Sequence, residues 1–228
     1  MARDTHVIKK FVHDNALSLA MFGLFFIFLI GLSITGYSQA NEERLAHAES
    51  AQTYVQYITS GGFIEAVFEN WESEFLQMGA LVVFTIFLYQ KGSADSKKLR
   101  GREPFETKSR YSIIRASSWR MRGRAVWRVL YSSSLGISLF ILFLLSFGLH
   151  AVGGVAAYNE QAAWHGEPTI STLQYMASSQ FWFESFQNWQ SEFLAVGALL
   201  VLSIFFRQRG SPESKPVGAA NSATGEPQ

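Results

Sequence analysis

Two six-residue stretches place groups able to do chemistry at matching positions: Asn70-Trp71-Glu72-Ser73-Glu74-Phe75 and Asn188-Trp189-Gln190-Ser191-Glu192-Phe193, both of the form Asn-Trp-x-Ser-Glu-Phe. At about 3.6 residues per helical turn, Asn70, Ser73 and Glu74 share one face, while Trp71 and Phe75 stack on another. Asn188, Ser191 and Glu192 repeat the arrangement, and Thr85 and Ser203 continue the two polar faces three turns further on. An amide, a hydroxyl and a carboxylate on one face can hold an ion or a polar solute. They can equally cap and hydrogen-bond near a membrane boundary while Trp71, Phe75, Trp189 and Phe193 form an interfacial aromatic belt. Glu74 lies about 25 Å along a helix from Lys91, near the edge of a bilayer core rather than its middle. Both readings stay open for these six residues.

A second pattern is His-x-Glu, at His47 with Glu49 and at His165 with Glu167. Imidazole and carboxylate suit zinc or manganese, but residues two apart diverge on a helix and no third ligand motif accompanies them. A solvated polar loop is favoured over a metal site. His150 stands alone in an apolar run, and no other apolar run supplies a histidine for bis-imidazole haem, so packing or hydrogen bonding is expected. There is no cysteine, which excludes disulfides and thiolate chemistry. No nucleophile-base set, phosphate loop or spaced ligand cluster is present, so neither enzymatic activity nor a cofactor is expected.

The elements that must position these residues are apolar helices. Hydrophobic residues make up 48% of the chain and aromatics 15%, yet mean hydropathy is only slightly positive, so the apolar residues are gathered in blocks. Leu17 to Tyr37 and Leu135 to Tyr158 each suffice to cross a hydrocarbon core of ~30 Å. Leu76 to Tyr89 and Leu194 to Phe206 reach that length if their helices begin near Asn70 and Asn188. A signal peptide is rejected for the first run, because it exceeds the ~7–15 residues of a signal core and its counterpart in the second half cannot be one.

Displacing the chain by 118 residues lays Phe68 to Lys97 over Phe186 to Lys215 without a gap, and 18 of those 30 positions are identical. A unit of two spans returns the chain to its starting side, so both copies share one orientation, a parallel repeat. The expected fold is all-α and integral to the membrane: four transmembrane helices, up-down-up-down, from tandem duplication of a two-helix unit. Of 19 lysines and arginines, only Arg44 falls between the two helices of a unit. Basic residues stay on the cytoplasmic side, which places both termini there.

Finer features are predicted as well. Leu45 to Ile58 is expected to form a short helix broken by Ser60-Gly61-Gly62, with the long helix resuming near Phe63. Pro168 is expected in the first turn of the matching helix, with Ser178-Ser179 as its break and the next helix from about Phe181. The repeats are assigned to 1–97 and 131–210, separated by a basic linker at 98–130 and followed by a disordered tail at 211–228. In the linker Arg115, Arg120, Arg122, Arg124 and Arg128 alternate with Trp119, Trp127 and aliphatic residues. Such a segment under a span binds anionic lipid at the cytoplasmic face rather than nucleic acid.

The tandem NWESEFLQMGALVVFTIFLYQKGSADSK and NWQSEFLAVGALLVLSIFFRQRGSPESK resembles an uncharacterised bacterial four-helix membrane family, domain of unknown function 6766, over nearly the whole chain. The resemblance implies a bacterial inner-membrane protein and carries no activity with it. From the residues, two functions are expected: a transport-like or solute-responsive bundle with an outer polar site around Glu74 and Glu192, or a structural or partner-binding membrane protein. Four spans enclose little room, so transport would need a homodimer.

Overall fold

The computed structural model describes residues 2–93, 96 and 127–224. Among them there is no strand. The elements bounded among the described residues are α1 (Ala2–Asp14), α2 (Ala16–Ala46), α3 (Tyr54–Ile58), α4 (Gly61–Phe87), α5 (Ser134–Trp164), α6 (Thr172–Met176) and α7 (Ser179–Phe205). A further helical stretch at 127–132 leads towards α5. Helices α2, α5 and α7 are long and apolar enough to cross a membrane. In the most apolar window of α2 only 6% of residues are buried, as befits side chains that face lipid, and the architecture is that of an all-α, multi-pass membrane protein. Helix α4 is as long as α7, 27 residues each, but its first half carries Glu65, Glu69, Glu72 and Glu74, which lower its apolar character.

Every bound of α2, α3 and α4 recurs 118 residues later in α5, α6 and α7, and the joints recur too. Asn41 grips the main chain of Gln52, donating to its carbonyl at 3.2 Å and accepting from its N–H at 2.8 Å. Asn159 grips Ile170 in the same way at 3.0 and 2.8 Å. Helix α2 ends where the Glu49 N–H reaches back to the Arg44 carbonyl, 2.9 Å, around Ala48 at φ 61°. Helix α5 ends with Glu167 N–H on the Ala162 carbonyl, 2.8 Å, around Gly166 at φ 68°. This left-handed termination satisfies carbonyls that a helix end leaves orphaned.

These joints explain where the fold departs from expectation. The predicted helix from Leu45 to Ile58 is only Tyr54–Ile58, because Ala48 stops α2 and the Asn41 clamp ties up the main chain of Gln52 just ahead of Thr53, which is extended. Helix α3 then restarts at Thr53, whose hydroxyl and main chain exchange bonds with Gln56 in a capping box. Pro168 lies ahead of α6 in the connecting turn, not in the first turn of the helix, since the Asn159 clamp delays the start to Thr172. The expected break falls at Thr59 and Ser60, and Gly61 and Gly62 already belong to α4, while Ser178 caps α7 by accepting from Phe181 N–H at 3.3 Å.

The chain divides into two compact units, Met1–Glu65 with Val152–Ser171, and Ala66–Ala151 with Thr172–Gln228. In the first, α4 and α5 meet backbone to backbone. A Cβ added at Gly61 would lie 2.6 Å from the Ala156 Cβ, and one at Gly153 would lie 2.5 Å from the Glu65 nitrogen. Only glycine permits that approach, the small-residue contact by which helices pack in lipid. Arg44 crosses to Glu160 as an ion pair and reaches Glu49 at 3.7 Å. Tyr57 is buried beside Gly36 among Tyr37, Tyr54 and Phe63.

The second unit contains a core of rings, with Phe147 against Phe181 at 5.1 Å and Phe143 against Trp189 at 6.2 Å. Its carboxy-terminal segment 206–224 forms turns with no helix. There the Lys215 ammonium is enclosed by the carbonyls of Ala220, Asn221 and Ala223, and Arg207 donates to Ala219 and Asn221.

Candidate functional site

The chemistry of the second unit centres on His150. It projects from α5 with no exposed surface, and its ring stacks on Phe181 at 4.8 Å. Its Nδ1 lies 3.0 Å from Glu72 Oε2 on α4, and its Nε2 lies 3.4 Å from Glu184 Oε2 on α7. Glu72, also fully buried, accepts at its other oxygen from the Trp189 indole N–H at 3.1 Å. Glu184 accepts from the Tyr175 hydroxyl at 2.6 Å and from the Gln180 amide at 3.0 Å. Three long helices and the short α6 thus each contribute to one polar cluster inside an aromatic shell.

Helical spacing explains the convergence. Phe181, Ser185 and Trp189 follow one another at intervals of four along α7, so one stripe offers a stacking ring, a hydroxyl and an indole donor. Ser185 is fully buried on this stripe, and its hydroxyl has no partner among the described residues. Tyr175 reaches the cluster because α6 ends just before Ser178, whose cap turns the chain directly into α7.

Proton count decides what the cluster can do. Each ring nitrogen of His150 faces a carboxylate oxygen, and a neutral imidazole has only one N–H. Either the ring is an imidazolium donating twice, or one glutamate carries the proton. Glu69 lies close enough for its charge to act on His150, Glu72 and Glu184. One imidazolium among three carboxylates leaves excess negative charge, which burial makes costly unless protons or a cation offset it. The arrangement can take up or give up a proton while its hydrogen-bond partners stay in place.

The residues singled out by the repeated motif occupy different places. Glu74 is exposed and Glu192 half-buried, and the two are close enough for their charges to interact. Asn70 and Ser73 hydrogen-bond within their own helix, to the Ala66 and Asn70 carbonyls at 2.8 Å each. Asn188 and Ser191 do likewise, to Glu184 and Asn188 at 3.2 and 2.8 Å.

In the first unit His47 and His165 come together, with ring centroids 5.7 Å apart and Trp164 stacked on His47 at 4.7 Å. Each Nδ1 faces a carbonyl one turn back, at 2.9 Å. Glu49 is engaged by Arg44, and both Glu49 and Glu167 are exposed. Of the basic lipid-contact residues only Arg128 is described; Arg115, Arg120, Arg122 and Arg124 lie outside the described residues.

The sequence motifs do not single out Glu72, Glu184 or Tyr175, and they give His150 no partner. A usable signal was present in the mismatches of the repeat. At the 118-residue displacement His150 stands over Leu32, Glu184 over Ala66, and Glu72 over Gln190. The acid and base groups of the cluster are those that one copy has and the other lacks.

No curated protein and no solved structure matches the chain. Residues 8–226 match the model of a family described as a domain of unknown function, DUF6766, and the chain belongs to that family.

Proposed function

We propose that this protein is a bacterial inner-membrane bundle of four spans, duplicated from a two-helix unit, that responds to protons or a small cation through the buried His150 and Glu72 and the partly buried Glu184. Recurrence of all three helix bounds and of the asparagine clamps at one displacement supports the duplication. Helix α4 supports a fourth span, since its 27 residues extend ~40 Å and its acids are confined to one half. The distribution of lysine and arginine supports cytoplasmic termini. The chain has no cysteine, so orientation can be tested without background. Cysteines introduced at Ser50 and Thr169 should label from outside with an impermeant reagent, and ones at Ser109 and Ser222 should not. Labelling of Ser109 in intact cells overturns the orientation.

The functional reading rests on one observation: a histidine with no solvent exposure is held between two glutamates inside an apolar bundle. Ionisable groups at such depth are expensive, and they mark ion or proton sites more often than scaffolding. Glu74 and Glu192 extend the polar surface of α4 and α7. The basic linker contacts anionic lipid, and a homodimer would supply the room that transport requires.

Trp189 supplies the test, because its indole N–H is bonded to Glu72. In lipid particles, tryptophan emission should change through a pH transition that disappears in Glu72→Gln and in Trp189→Phe. Emission indifferent to pH, in protein that stays folded, would favour the other reading, a structural clamp with fixed protonation.

A further inference from the structure

We infer that a cavity between α4 and α7, separate from the His150 cluster, binds a lipid-soluble quinone by a carbonyl oxygen. It measures about 450 Å³, within the range of small-molecule sites. Leu81, Phe84, Phe193 and Leu200 form apolar and aromatic walls, and among the described residues no charged side chain lines it. At one point the lining is polar and unsatisfied. Gln77 is 95% buried, and its Nε2 has no hydrogen-bond partner among the described residues.

An enclosed amide N–H without an acceptor is costly, so an occupant that fits must bring an acceptor to Gln77. Depth then narrows the class. Gln77 lies ten residues before Phe87, the end of α4, or about 15 Å along the axis, half of a core of ~30 Å. Phospholipid ester groups sit at the interface and do not reach that level. A free fatty acid would bring a carboxylate into a cavity without a cation. A plain hydrocarbon chain would leave the amide unpaired. What remains is a neutral molecule that dissolves in the bilayer core and carries a ketone oxygen on a flat ring able to pack against Phe84 and Phe193.

This inference relies on α4 crossing the bilayer, which the cysteine-labelling experiment tests independently. The binding experiment uses the full chain in lipid particles and a tritiated short-chain ubiquinone analogue. One saturable equivalent should bind. Gln77→Leu removes the donor at similar size and should weaken binding about tenfold. Gly197→Leu should abolish it, since Gly197 lines the cavity and a Cβ there meets nothing within 4 Å. Melting temperatures establish that both variants are folded. Equal affinity in Gln77→Leu, competition by a saturated hydrocarbon as effective as by unlabelled quinone, or no saturable binding to the wild-type chain would each overturn the proposal.

Discussion

Tyr57 and Tyr175 hold the same position in their halves of the sequence, 118 residues apart, each in the five-residue helix between two long ones. Both are buried, and both pack on a phenylalanine, Phe63 and Phe181 respectively. There the likeness ends. Tyr57 sits among Tyr37 and Tyr54 with its hydroxyl against Gly36, where an added Cβ would come within 2.0 Å of it. Tyr175 instead donates to Glu184 at 2.6 Å, one bond away from His150. The position corresponding to Glu184 is Ala66, which offers a hydroxyl nothing to bond. One scaffold, repeated, carries an aromatic packing site in one place and an acid-base cluster in the other.

Removing the base should produce the largest effect. His150→Leu leaves the buried Glu72 and the partly buried Glu184 without their shared partner, and breaking such an arrangement from one side costs about 3–5 kcal/mol. At neutral pH the variant should unfold far more readily in a detergent or denaturant series. Acid should narrow the gap, because protonating the stranded carboxylates removes the buried charge. The matching substitution in the first half, Leu32→Ala, should behave as an ordinary lipid-facing change and show no such pH dependence. Comparable losses at both positions would mean that the cluster is not a charged one.

The two tyrosines give the next contrast. Tyr175→Phe deprives Glu184 of its shortest hydrogen bond and should cost about 1.5–3 kcal/mol, the range for bonds to charged groups. Tyr57→Phe removes a hydroxyl that packs against Gly36 and should cost less than about 1 kcal/mol at neutral pH. Parallel thermal melts of the two variants measure the difference. Equal shifts would refute the division of roles.

A smaller effect, with the opposite sign, is expected at the helix ends. Ala48 and Gly166 both terminate long helices in the left-handed conformation, which costs a residue with a side chain about 1–2 kcal/mol. Ala48→Gly gives the first joint the residue that the second already has, and glycine also gains freedom in the unfolded chain, which offsets part of the benefit. The net expectation is a stabilisation of about 0.5–1 kcal/mol, read as a raised melting temperature. Gly166→Ala should lower it.

These contrasts also account for what was legible in the sequence. The apolar runs Leu17 to Tyr37 and Leu135 to Tyr158 lie within α2 and α5, since length and hydropathy are local properties. Helix starts were less legible, because Thr53 and Ser178 act as caps only once Asn41, a dozen residues away, or Tyr175 has fixed the approaching chain. The His150 cluster was hidden for a different reason. Its pairings span 78 residues to Glu72 and 34 to Glu184, and no helical period relates residues so far apart. Residues shared by the two copies point to Asn70, Ser73, Glu74 and their counterparts, several of which bond within their own helix. Divergence within the repeat, not identity, carried the information about His150, Glu72 and Glu184.

The smallest expected effect concerns Tyr57 in alkaline solution. Burial, and after it the neighbouring Tyr54, pushes the Tyr57 phenol above the usual tyrosine range. In the unfolded chain the group would titrate near pH ~10. A group that ionises later in the folded state than in the unfolded one supports folding fully while the pH is below the unfolded value. That support fades as the pH rises through the folded value, because the unfolded chain releases its proton first and gains from doing so. Wild-type stability should therefore decline above pH ~10 more steeply than that of Tyr57→Phe, which has no phenol to ionise there. The two melting curves should converge as the solution becomes more alkaline. Tyrosinate absorbance gives an independent reading: Tyr57→Phe should lose one late-titrating group relative to the wild type. If the number of late groups were unchanged in Tyr57→Phe, the aromatic pocket around Gly36 would not be the apolar counterpart of the Tyr175 site, and the contrast between the two positions would lose its first member.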